Sequence, residues 1–209
     1  VMNRYLEERS IVKFINNIQD AGQRAASIVS NMLQFSRGNQ KSLSNTSVKE
    51  LLGRTLEIAH ADLKLKSINI HLNEIDSQIM LYCIPSELEQ VILNLLQNAA
   101  QALLEYQQLI TSQDWRPQIH ITAEQLNGYT IIKVKDNGPG MDDITRRRIF
   151  EPFFTTKDVG LGTGLGLSVS YFIITAHHQG QLDVVSSPNQ GACFIIKLPN
   201  QAISINSPS

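Results

Sequence analysis

Two asparagines and a glutamine lie where they could bind a metal cation that is also coordinated by phosphate groups. Asn94, Asn98 and Gln101 lie in a predicted helix, and their spacing of four and three residues puts them on one face. Asparagine is a mediocre helix former, so two of them in mid-helix invite an explanation. Their amide oxygens are hard, neutral ligands that suit a Mg²⁺ ion with bound phosphate oxygens. A merely solvated helix face explains the same residues equally well.

A second candidate directly follows a predicted strand. Residues 136–141 have the sequence Asp-Asn-Gly-Pro-Gly-Met, which is a good turn sequence in its own right. In a binding site, the Asp136 carboxylate would accept a hydrogen bond from an exocyclic amine such as that of adenine. Gly138 and Gly140 would then let the backbone pass close to the base. The sequence leaves the turn and the base-binding interpretation both open.

Two further stretches follow this turn. Residues 150–157 surround Pro152 with aromatic side chains, a pattern more typical of a docking plug than of a ligand site. Lys157 in this stretch is a weak candidate for a phosphate contact. Residues 160–167 alternate glycine with other residues before a helix N-terminus, where backbone N–H groups and the helix dipole favour phosphate. A flexible linker has the same composition, and the absence of Gly-Lys-Ser/Thr excludes a P-loop.

The elements that must position these stretches follow from hydrophobic periodicity and turn signals. Helices are predicted over residues 47–66, 85–108, 141–150 and 167–177. Strands are predicted over residues 68–72, 78–82, 118–125, 129–135, 181–185 and 192–198. Strands joined mostly by hairpins predict an α+β fold, a two-layer α/β sandwich in which helices cover one face of a mixed sheet. The elements do not alternate strictly, which argues against a Rossmann domain.

The N-terminal part of the chain is predicted to be one long helix. Apolar or small residues recur at alternating spacings of three and four from Ile11 to Phe35, a heptad pattern that favours a bundle with helices of partner chains. A helix that folds back on its own globular domain would show the same stripe. The predicted organisation is a helical region over residues 1–38, a linker over 39–46, a globular domain over 47–199 and a flexible tail over 200–209.

Composition and charge exclude several classes of protein. The net charge is −1, so no overall field favours nucleic acid or an anionic membrane. The two cysteines, Cys83 and Cys193, lie far apart in strand-like runs and fit reduced thiols of a cytosolic protein. No apolar run approaches the roughly 20 residues that span a bilayer, and the N-terminus lacks a signal-peptide layout. We expect a soluble, cytoplasmic piece without membrane contact, whose longer parent could carry membrane segments upstream.

In order and spacing, the four stretches resemble the N, G1, F and G2 boxes of the histidine kinase catalytic domain. That domain shares the Bergerat-type ATP-binding fold with DNA gyrase, mismatch-repair MutL proteins and the large heat-shock chaperone. Residues 20–37 are similar to the second helix of the kinases' dimerisation and phosphotransfer domain. The resemblance covers about residues 4–199. It implies the catalytic portion of a two-component sensor histidine kinase, which transfers the γ-phosphate of Mg²⁺-ATP to a histidine.

The resemblance also implies a role for each motif. Asn98 would be the protein ligand of Mg²⁺, Asp136 would bind the adenine amine, and Lys157 would join Asn98 in catalysis. Residues 150–157 would anchor a mobile ATP lid, and residues 162–167 would cradle the phosphates. The implied ATP-binding residues are Asn94, Asn98, Gln101, Asp136, Gly138, Gly140, Met141, Phe154, Lys157, Gly162, Thr163, Gly164, Leu165, Gly166 and Leu167.

Four positions depart from the family pattern. Hydrolysing relatives have a glutamate that activates water where this chain has Asn94, and an amide cannot act as a general base. The resemblance therefore implies transfer of phosphate rather than hydrolysis. Many kinases of the family have a lysine and a tyrosine in place of Gln101 and Ala102, which provide a cationic phosphate contact and a ring that stacks on adenine. Cys193 replaces a frequent threonine near adenine-bound water.

The phosphoacceptor of the family is a histidine followed by an acidic residue and then by proline. None of the five histidines has that context, so we expect the acceptor outside this sequence and the sequence to begin within the dimerisation domain. The implied partners are ATP, the receiver domain of a response regulator and a second copy bound through the N-terminal helix, but not nucleic acid. Two other functions stay open: an ATP hydrolase of the gyrase or chaperone type, and a non-catalytic dimerisation scaffold.

Overall fold

The computed structural model of the chain describes residues 42–61, 65–73, 75–111, 114–157 and 163–200. The expected bundle helix over residues 1–38 and residues 201–209 of the expected tail lie outside this part. The strands are β1 (Ser44–Ser47), β2 (Asn69–Leu72), β3 (Met80–Cys83), β4 (Gln118–Leu126), β5 (Tyr129–Asp136), β6 (Gln181–Ser186) and β7 (Ala192–Pro199). The helices are α1 (Val48–Ala59), α2 (Pro85–Gln107), α3 (Asp143–Arg148) and α4 (Gly166–Phe172), and α4 continues as a π-helical turn over Ile173–His177.

Five strands form the main sheet in the order β2-β4-β5-β7-β6. β2 and β4 run parallel, and the other neighbouring pairs are antiparallel. The β4–β5 hairpin turns at Asn127 and Gly128, whose φ angles of 52° and 80° are the left-handed values of a type I′ turn. The mixed sheet predicted from the sequence is thus confirmed.

The core lies between one face of this sheet and the helices. Buried residues alternate with half-buried ones along β4 and β5, and Ile119 and Ile132 are fully buried. α2 adds a buried stripe at helical spacing that includes Leu88, Ile92 and Leu95. The predicted α+β sandwich of helices on a mixed sheet is confirmed, and α2 turns a second face, which carries the asparagines, away from the core.

A second, two-stranded sheet pairs β1 with β3 in antiparallel register. β1 includes residues 44–46, which were expected to belong to a linker. Its residues are polar, yet Thr46 is only 9% exposed and its hydroxyl lies 3.1 Å from that of Ser44. A short polar strand shows no apolar alternation, so pairing with β3 decides its conformation. Ser47 then caps α1 by accepting a hydrogen bond from the N–H of Glu50, as the sequence predicts.

Two predicted helices are too long. α1 ends at Ala59 rather than near residue 66, and the buried Leu65 lies in a separate 3₁₀ turn. α3 begins only after Asp142, whose carboxylate caps the helix by accepting a hydrogen bond from the N–H of Thr145 at 2.7 Å. Helical periodicity does not locate such ends, because caps and tertiary contacts set them. Met141, which precedes the cap, is consequently free of the helix and faces the cleft described below.

Candidate nucleotide-binding cleft

A cleft of about 800 Å³ opens between α2, the turn after β5, β7 and the segment that leads into α4. Most residues predicted for ATP binding line it: Asn94, Asn98, Gln101, Asp136, Gly140, Met141, Phe154, Lys157, Thr163, Gly164, Gly166 and Leu167. Gly138 and Leu165 do not line the cleft, and Gly162 lies outside the described residues. Leu165 instead lies at the N-terminal cap of α4, and its N–H donates to the hydroxyl of Thr163 at 3.4 Å. Four motifs that are distant in sequence therefore meet in one cleft.

The Asp136 carboxylate is held at the end of β5. It is 6% exposed, and its Oδ1 accepts hydrogen bonds from the N–H of Gly138 at 2.8 Å and of Ala192 at 3.2 Å. Burial raises the pKa of this carboxyl above its ordinary value, and the same N–H groups act in the opposite direction. Both bonds use Oδ1, so Oδ2 is the oxygen that a donor bound in the cleft would engage. Gly138 thus acts through Asp136 rather than by lining the cleft.

The turn after Asp136 packs against the loop between β6 and β7. Gly140 has a φ of 69°, and a Cβ at this position would overlap the carbonyl oxygen of Ser187. The N–H of Asn189 donates to the carbonyl oxygen of Pro139 at 2.6 Å. Only glycine combines this backbone conformation with so close an approach. Backbone contacts therefore fix this end of the cleft.

The Asn98 amide has fewer hydrogen bonds than it can make. Its side-chain nitrogen is buried and has no hydrogen-bond partner among the described residues, although Asn98 lines the cleft. An unpaired buried polar group costs about 1–3 kcal/mol, and because this nitrogen is a hydrogen-bond donor, an acceptor such as a phosphate oxygen would satisfy it, whereas a cation would not. Within the described ranges, no group of three or more His, Cys, Asp or Glu side chains could hold a metal. Because Asn98 lines the cleft, its amide oxygen is chemically suited to be one ligand of a Mg²⁺ ion whose other ligands are phosphate oxygens.

Asn94 joins α2 to α4. Its Nδ2 donates to the hydroxyl of Ser170 at 3.0 Å, and Ser170 is 1% exposed. A Cβ at Gly166 would overlap the Oδ1 of Asn94, so α4 begins directly against this amide. Asn94 therefore fixes the start of α4 beside the cleft.

Lys157 reaches α2 from the segment that follows α3. Its Nζ donates to the Oε1 of Gln101 at 2.6 Å, and the Nε2 of Gln101 donates to the Oε1 of Glu105 at 3.0 Å. The sequence has no cationic residue at position 101. Lys157 supplies a positive charge to the same face of α2 from elsewhere in the chain.

Phe153 and Gly164 bring together the two ends of the segment between them. The N–H of Phe153 donates to the carbonyl oxygen of Gly164 at 2.9 Å, and a Cβ on Gly164 would lie 2.5 Å from the carbonyl carbon of Phe153. Residues 158–162, part of the expected ATP lid, lie outside the described residues. Phe154 lines the cleft, and the guanidinium of Arg148 lies 4.5 Å from the centroid of its ring.

β7 presents Ala192 and Phe194 to the cleft, whereas Cys193 is not among the lining residues. Successive residues of a strand point to opposite faces, and Cys193 is paired with Lys135 of β5. Cys193 thus points away from the cleft, contrary to the place that the family resemblance gave it. Its neighbour Ala192 contacts the Asp136 carboxylate through its N–H instead.

Several lining residues were not predicted. Glu105 and Tyr106 extend the face of α2 that carries Asn98, so helical spacing alone could have included them, whereas Leu109 lies just beyond the end of that helix. Others come from α3, β7 and the segment before residue 158, and only tertiary packing brings them together. They include Thr145, Ile149, Thr155, Thr156, Ala192 and Phe194.

A sequence profile of one protein family matches residues 83–202, more than half of the 209 residues. The family is described as histidine kinase-, DNA gyrase B-, and HSP90-like ATPase. The chain belongs to this family. The family resemblance predicted from the four motifs is therefore confirmed, and the cleft is the part of this ATPase domain in which those motifs meet.

The ATPase domain is similar to domains of named kinases. Sporulation kinase E of Bacillus subtilis is 32% identical over 187 residues, which cover 89% of this chain and 24% of that kinase. The signal transduction histidine-protein kinase AtoS of Escherichia coli is 34% identical over 174 residues, which cover 82% of this chain and 26% of AtoS. The chain therefore spans about a quarter of the length of these curated relatives.

The fold is similar to the solved catalytic domain of the histidine kinase ThkA. The TM-score is 0.63 at 26% identity, with 76% of this chain and 98% of that domain covered. A structure of ThkA in complex with the response regulator protein TrrA gives a TM-score of 0.66 at 24% identity, covering 90% of this chain and 51% of that one. The predicted histidine kinase-type fold is thus confirmed.

In the described part of the chain, none of the helices is both long and apolar enough to cross a membrane.

Proposed function

We propose that this chain is the ATP-binding catalytic portion of a two-component sensor histidine kinase. It transfers the γ-phosphate of Mg²⁺-ATP to a histidine outside this sequence, from which the phosphoryl group passes to an aspartate of a response regulator. The observation that carries the proposal is one cleft shared by a buried carboxylate, an asparagine amide with an unpaired nitrogen, and a lysine. The named kinases among the relatives support the same function.

The base end of the cleft consists of Asp136, Gly140 and Ala192. There the Oδ2 of Asp136 accepts a hydrogen bond from the exocyclic amine of adenine. The N–H donors on Oδ1 already hold the carboxylate in place, so it need not reorient when the base binds. The close backbone packing at Gly140 keeps the floor of this end rigid.

The phosphate end of the cleft consists of Asn94, Asn98, Lys157, Gly164 and Gly166. The amide oxygen of Asn98 would hold Mg²⁺, which neutralises phosphate charge when it is bound. Lys157 contributes a second positive charge, and backbone N–H groups at the start of α4 bind phosphate oxygens. The protein groups thus accelerate transfer chiefly by positioning the phosphate and by stabilising its charge.

The groups near the phosphate favour transfer over hydrolysis. Asn94 is an amide bonded to Ser170, and it cannot take a proton from water. Among the described residues that line the cleft, the carboxylates are Asp136 and Glu105. Asp136 is bonded to backbone N–H groups at the base end, and Glu105 accepts a hydrogen bond from Gln101. A hydrolase of the gyrase or chaperone type would need a general base that these residues do not supply.

Partners and location belong to the same proposal. ThkA forms a complex with a response regulator protein, and a receiver domain is the corresponding partner of this chain. The apolar stripe of residues 1–38 supports a homodimer through a helical bundle. The free thiols of Cys83 and Cys193 and the use of ATP support a cytoplasmic location.

Calorimetric titration with a non-hydrolysable ATP analogue and Mg²⁺ tests the proposal. The wild-type chain should bind one analogue, and Asp136→Asn should weaken binding roughly tenfold or more because it removes the charged acceptor for the base amine. Asp183→Asn is the matched control, since it changes an exposed carboxylate of β6 that does not line the cleft. Unchanged affinity of Asp136→Asn would refute the base contact. No binding by the wild-type chain would overturn the proposal as a whole.

A further inference from the structure

An aromatic pair, Tyr106 and Trp115, lies at one end of the cleft and outside the predicted motifs. Tyr106 lies on the last turn of α2 and lines the cleft. The centroid of its ring is 5.5 Å from that of Trp115, and the two planes meet at 87°. This edge-to-face arrangement is a favourable aromatic contact that restrains both rings. Trp115 does not itself line the cleft, so it supports the tyrosine from outside.

Both contacts of the Tyr106 ring lead to the turn that carries the buried carboxylate. The Nε1 of Trp115 donates to the carbonyl oxygen of Asn137 at 3.3 Å. On the other side, the hydroxyl of Tyr106 makes a long hydrogen bond of 3.5 Å to the Oδ1 of Asn189. The N–H of Asn189 donates in turn to the carbonyl oxygen of Pro139 at 2.6 Å. Tyr106 is therefore tied to the base end of the cleft rather than to the phosphate end.

The spacing of residues along α2 also places Tyr106 far from Asn98 and towards the base end of the cleft. Asn98, Ala102 and Tyr106 are four residues apart and line the cleft from one face of the helix. The helix rises about 1.5 Å per residue, so roughly 12 Å along its axis separates Asn98 from Tyr106. The small side chain of Ala102 leaves the space between them open. The first aromatic ring on this face beyond Asn98 is that of Tyr106.

We infer that Tyr106 contacts the nucleobase and that Trp115 is a positioning residue that holds its ring. A flat aromatic ring beside a buried carboxylate matches a planar base that has an exocyclic amine. The ring supplies apolar contact to the base, whereas Asp136 supplies the hydrogen-bond acceptor. The inference rests on the proposed function, because it assigns a further residue to the same nucleotide site.

Binding measurements on Tyr106 variants test the inference in the full chain. Tyr106→Leu should weaken binding of a non-hydrolysable ATP analogue by roughly fivefold to a hundredfold, the range typical for loss of an aromatic ring that stacks on a base. Tyr106→Phe keeps the ring and should stay within about twofold of wild type, because the lost hydrogen bond is long. Tyr82→Leu is the matched control, since Tyr82 is a partly exposed tyrosine of β3 that does not line the cleft.

Competition with tripolyphosphate, which has no base, separates a base contact from general damage to the cleft. The affinity of Tyr106→Leu for Mg²⁺-tripolyphosphate should equal that of wild type. An equal loss for tripolyphosphate and for the ATP analogue would overturn the inference, as would an unchanged affinity for the analogue. If the wild-type chain bound no analogue, the proposed function itself would fail, which is a different result.

The single tryptophan gives an independent readout. Trp115 contacts Tyr106 at the edge of the cleft, so saturation with the ATP analogue should change its fluorescence emission in the wild-type chain. Tripolyphosphate should leave the emission unchanged because it does not reach the base end. An emission change of the same size with tripolyphosphate, or none with the analogue, would contradict the placement of the base beside Tyr106.

Discussion

The base end and the phosphate end of the cleft are built in different ways. At the base end, two backbone N–H groups bind the Asp136 carboxylate, and the turn through Gly140 packs backbone against backbone. At the phosphate end, two of the functional groups, Asn98 and Lys157, are side chains whose hydrogen bonds are incomplete or are made to another side chain. The Asn98 nitrogen has no partner in the described part of the chain, and Lys157 is bonded to Gln101.

The base end is therefore preorganised for its ligand, whereas side chains at the phosphate end can rearrange when a ligand binds. Groups held by backbone bonds keep their positions before and after binding, so the base end presents a fixed acceptor. Side chains bonded to one another can exchange those bonds for a phosphate or a cation with little change in the fold. We therefore expect changes at the base end to affect both folding and binding, and changes at Asn98 or Lys157 to affect mainly binding.

The largest effect is expected from Gly140→Ala. The added Cβ would overlap the carbonyl oxygen of Ser187, and alanine disfavours the φ of 69°. We expect the free energy of unfolding to fall by about 2–4 kcal/mol, since backbone strain and a steric clash act together. Urea denaturation followed by circular dichroism measures this change.

Gly128→Ala is a useful comparison for that variant. Gly128 also has a positive φ, of 80°, but a Cβ there would meet nothing within 4 Å. Gly128→Ala should therefore lower the free energy of unfolding by only about 1 kcal/mol, the cost of placing alanine at a positive φ. Equal losses for the two variants would show that the close packing of the turn against the β6–β7 loop does not stabilise the base end.

The second prediction contrasts Asn98→Ala with Asp136→Ala. Asn98→Ala removes a buried amide with an unpaired nitrogen, so the free energy of unfolding should stay within about 0.5 kcal/mol of wild type or rise. Binding of the ATP analogue with Mg²⁺ should nevertheless fall, by roughly tenfold or more, because a metal ligand is lost. Asp136→Ala should lose both affinity and about 2–4 kcal/mol of stability, since two N–H donors lose their acceptor.

Denaturation and calorimetry on the two variants check this contrast. Repeating the titration with EDTA in place of Mg²⁺ adds a control. Without the metal, wild type and Asn98→Ala should have similar affinities for the analogue. A stability loss in Asn98→Ala as large as that in Asp136→Ala would break the distinction between the two ends.

The smallest effect concerns pH and a buried histidine that connects the end of the α4 region to the start of α2. In the turn that follows α4, the Nδ1–H of His178 donates to the carbonyl oxygen of Ile173 at 3.0 Å, and its Nε2 accepts from the N–H of Ile84 at 3.1 Å. Burial lowers the pKa of His178 below its ordinary value, although its hydrogen bond to the carbonyl oxygen of Ile173 and the carboxylate of Glu87 act in the opposite direction. Protonation would remove the acceptor for Ile84.

Because the folded protein holds His178 neutral, its contribution to stability is complete above the unfolded pKa of about 6.5 and is lost as pH falls through the lower folded value. Between pH 7.5 and 5.5, wild type should lose more unfolding free energy than His178→Gln, because over this range the unfolded chain binds a proton at His178 more readily than the folded chain does. Urea denaturation of both proteins at the two pH values measures the difference. An equal pH dependence in both proteins would refute this role for His178.

Residues with local signals could be predicted from the sequence. Asn98 and Asp136 were predicted because each lies in a short motif whose order along the chain is specific. The hairpin at residues 127–128 and the strands beside it follow from turn chemistry and alternation. In these places the local sequence and the tertiary structure specify the same conformation.

Contacts that depend on distant pairing could not be predicted. Lys157 meets Gln101 across 56 positions of the sequence, and no periodicity links them. The side of the sheet on which Cys193 lies is set by the register of β7 against β5, since a shift of one residue would exchange the two faces. Tyr106 has the right helical spacing, but its place at the base end depends on Trp115 and on a loop between two other strands.

One measurement tests the central claim, that the cleft holds Mg²⁺-ATP for transfer rather than for hydrolysis. The chain is incubated with Mg²⁺ and ATP labelled at the γ-phosphate, and bound nucleotide and free phosphate are measured in the same samples. The account predicts one intact ATP bound per chain and phosphate release no faster than with the Asn98→Ala variant. Steady release at an enzyme-like rate of about 1 s⁻¹ or more, or no bound ATP at all, would contradict it.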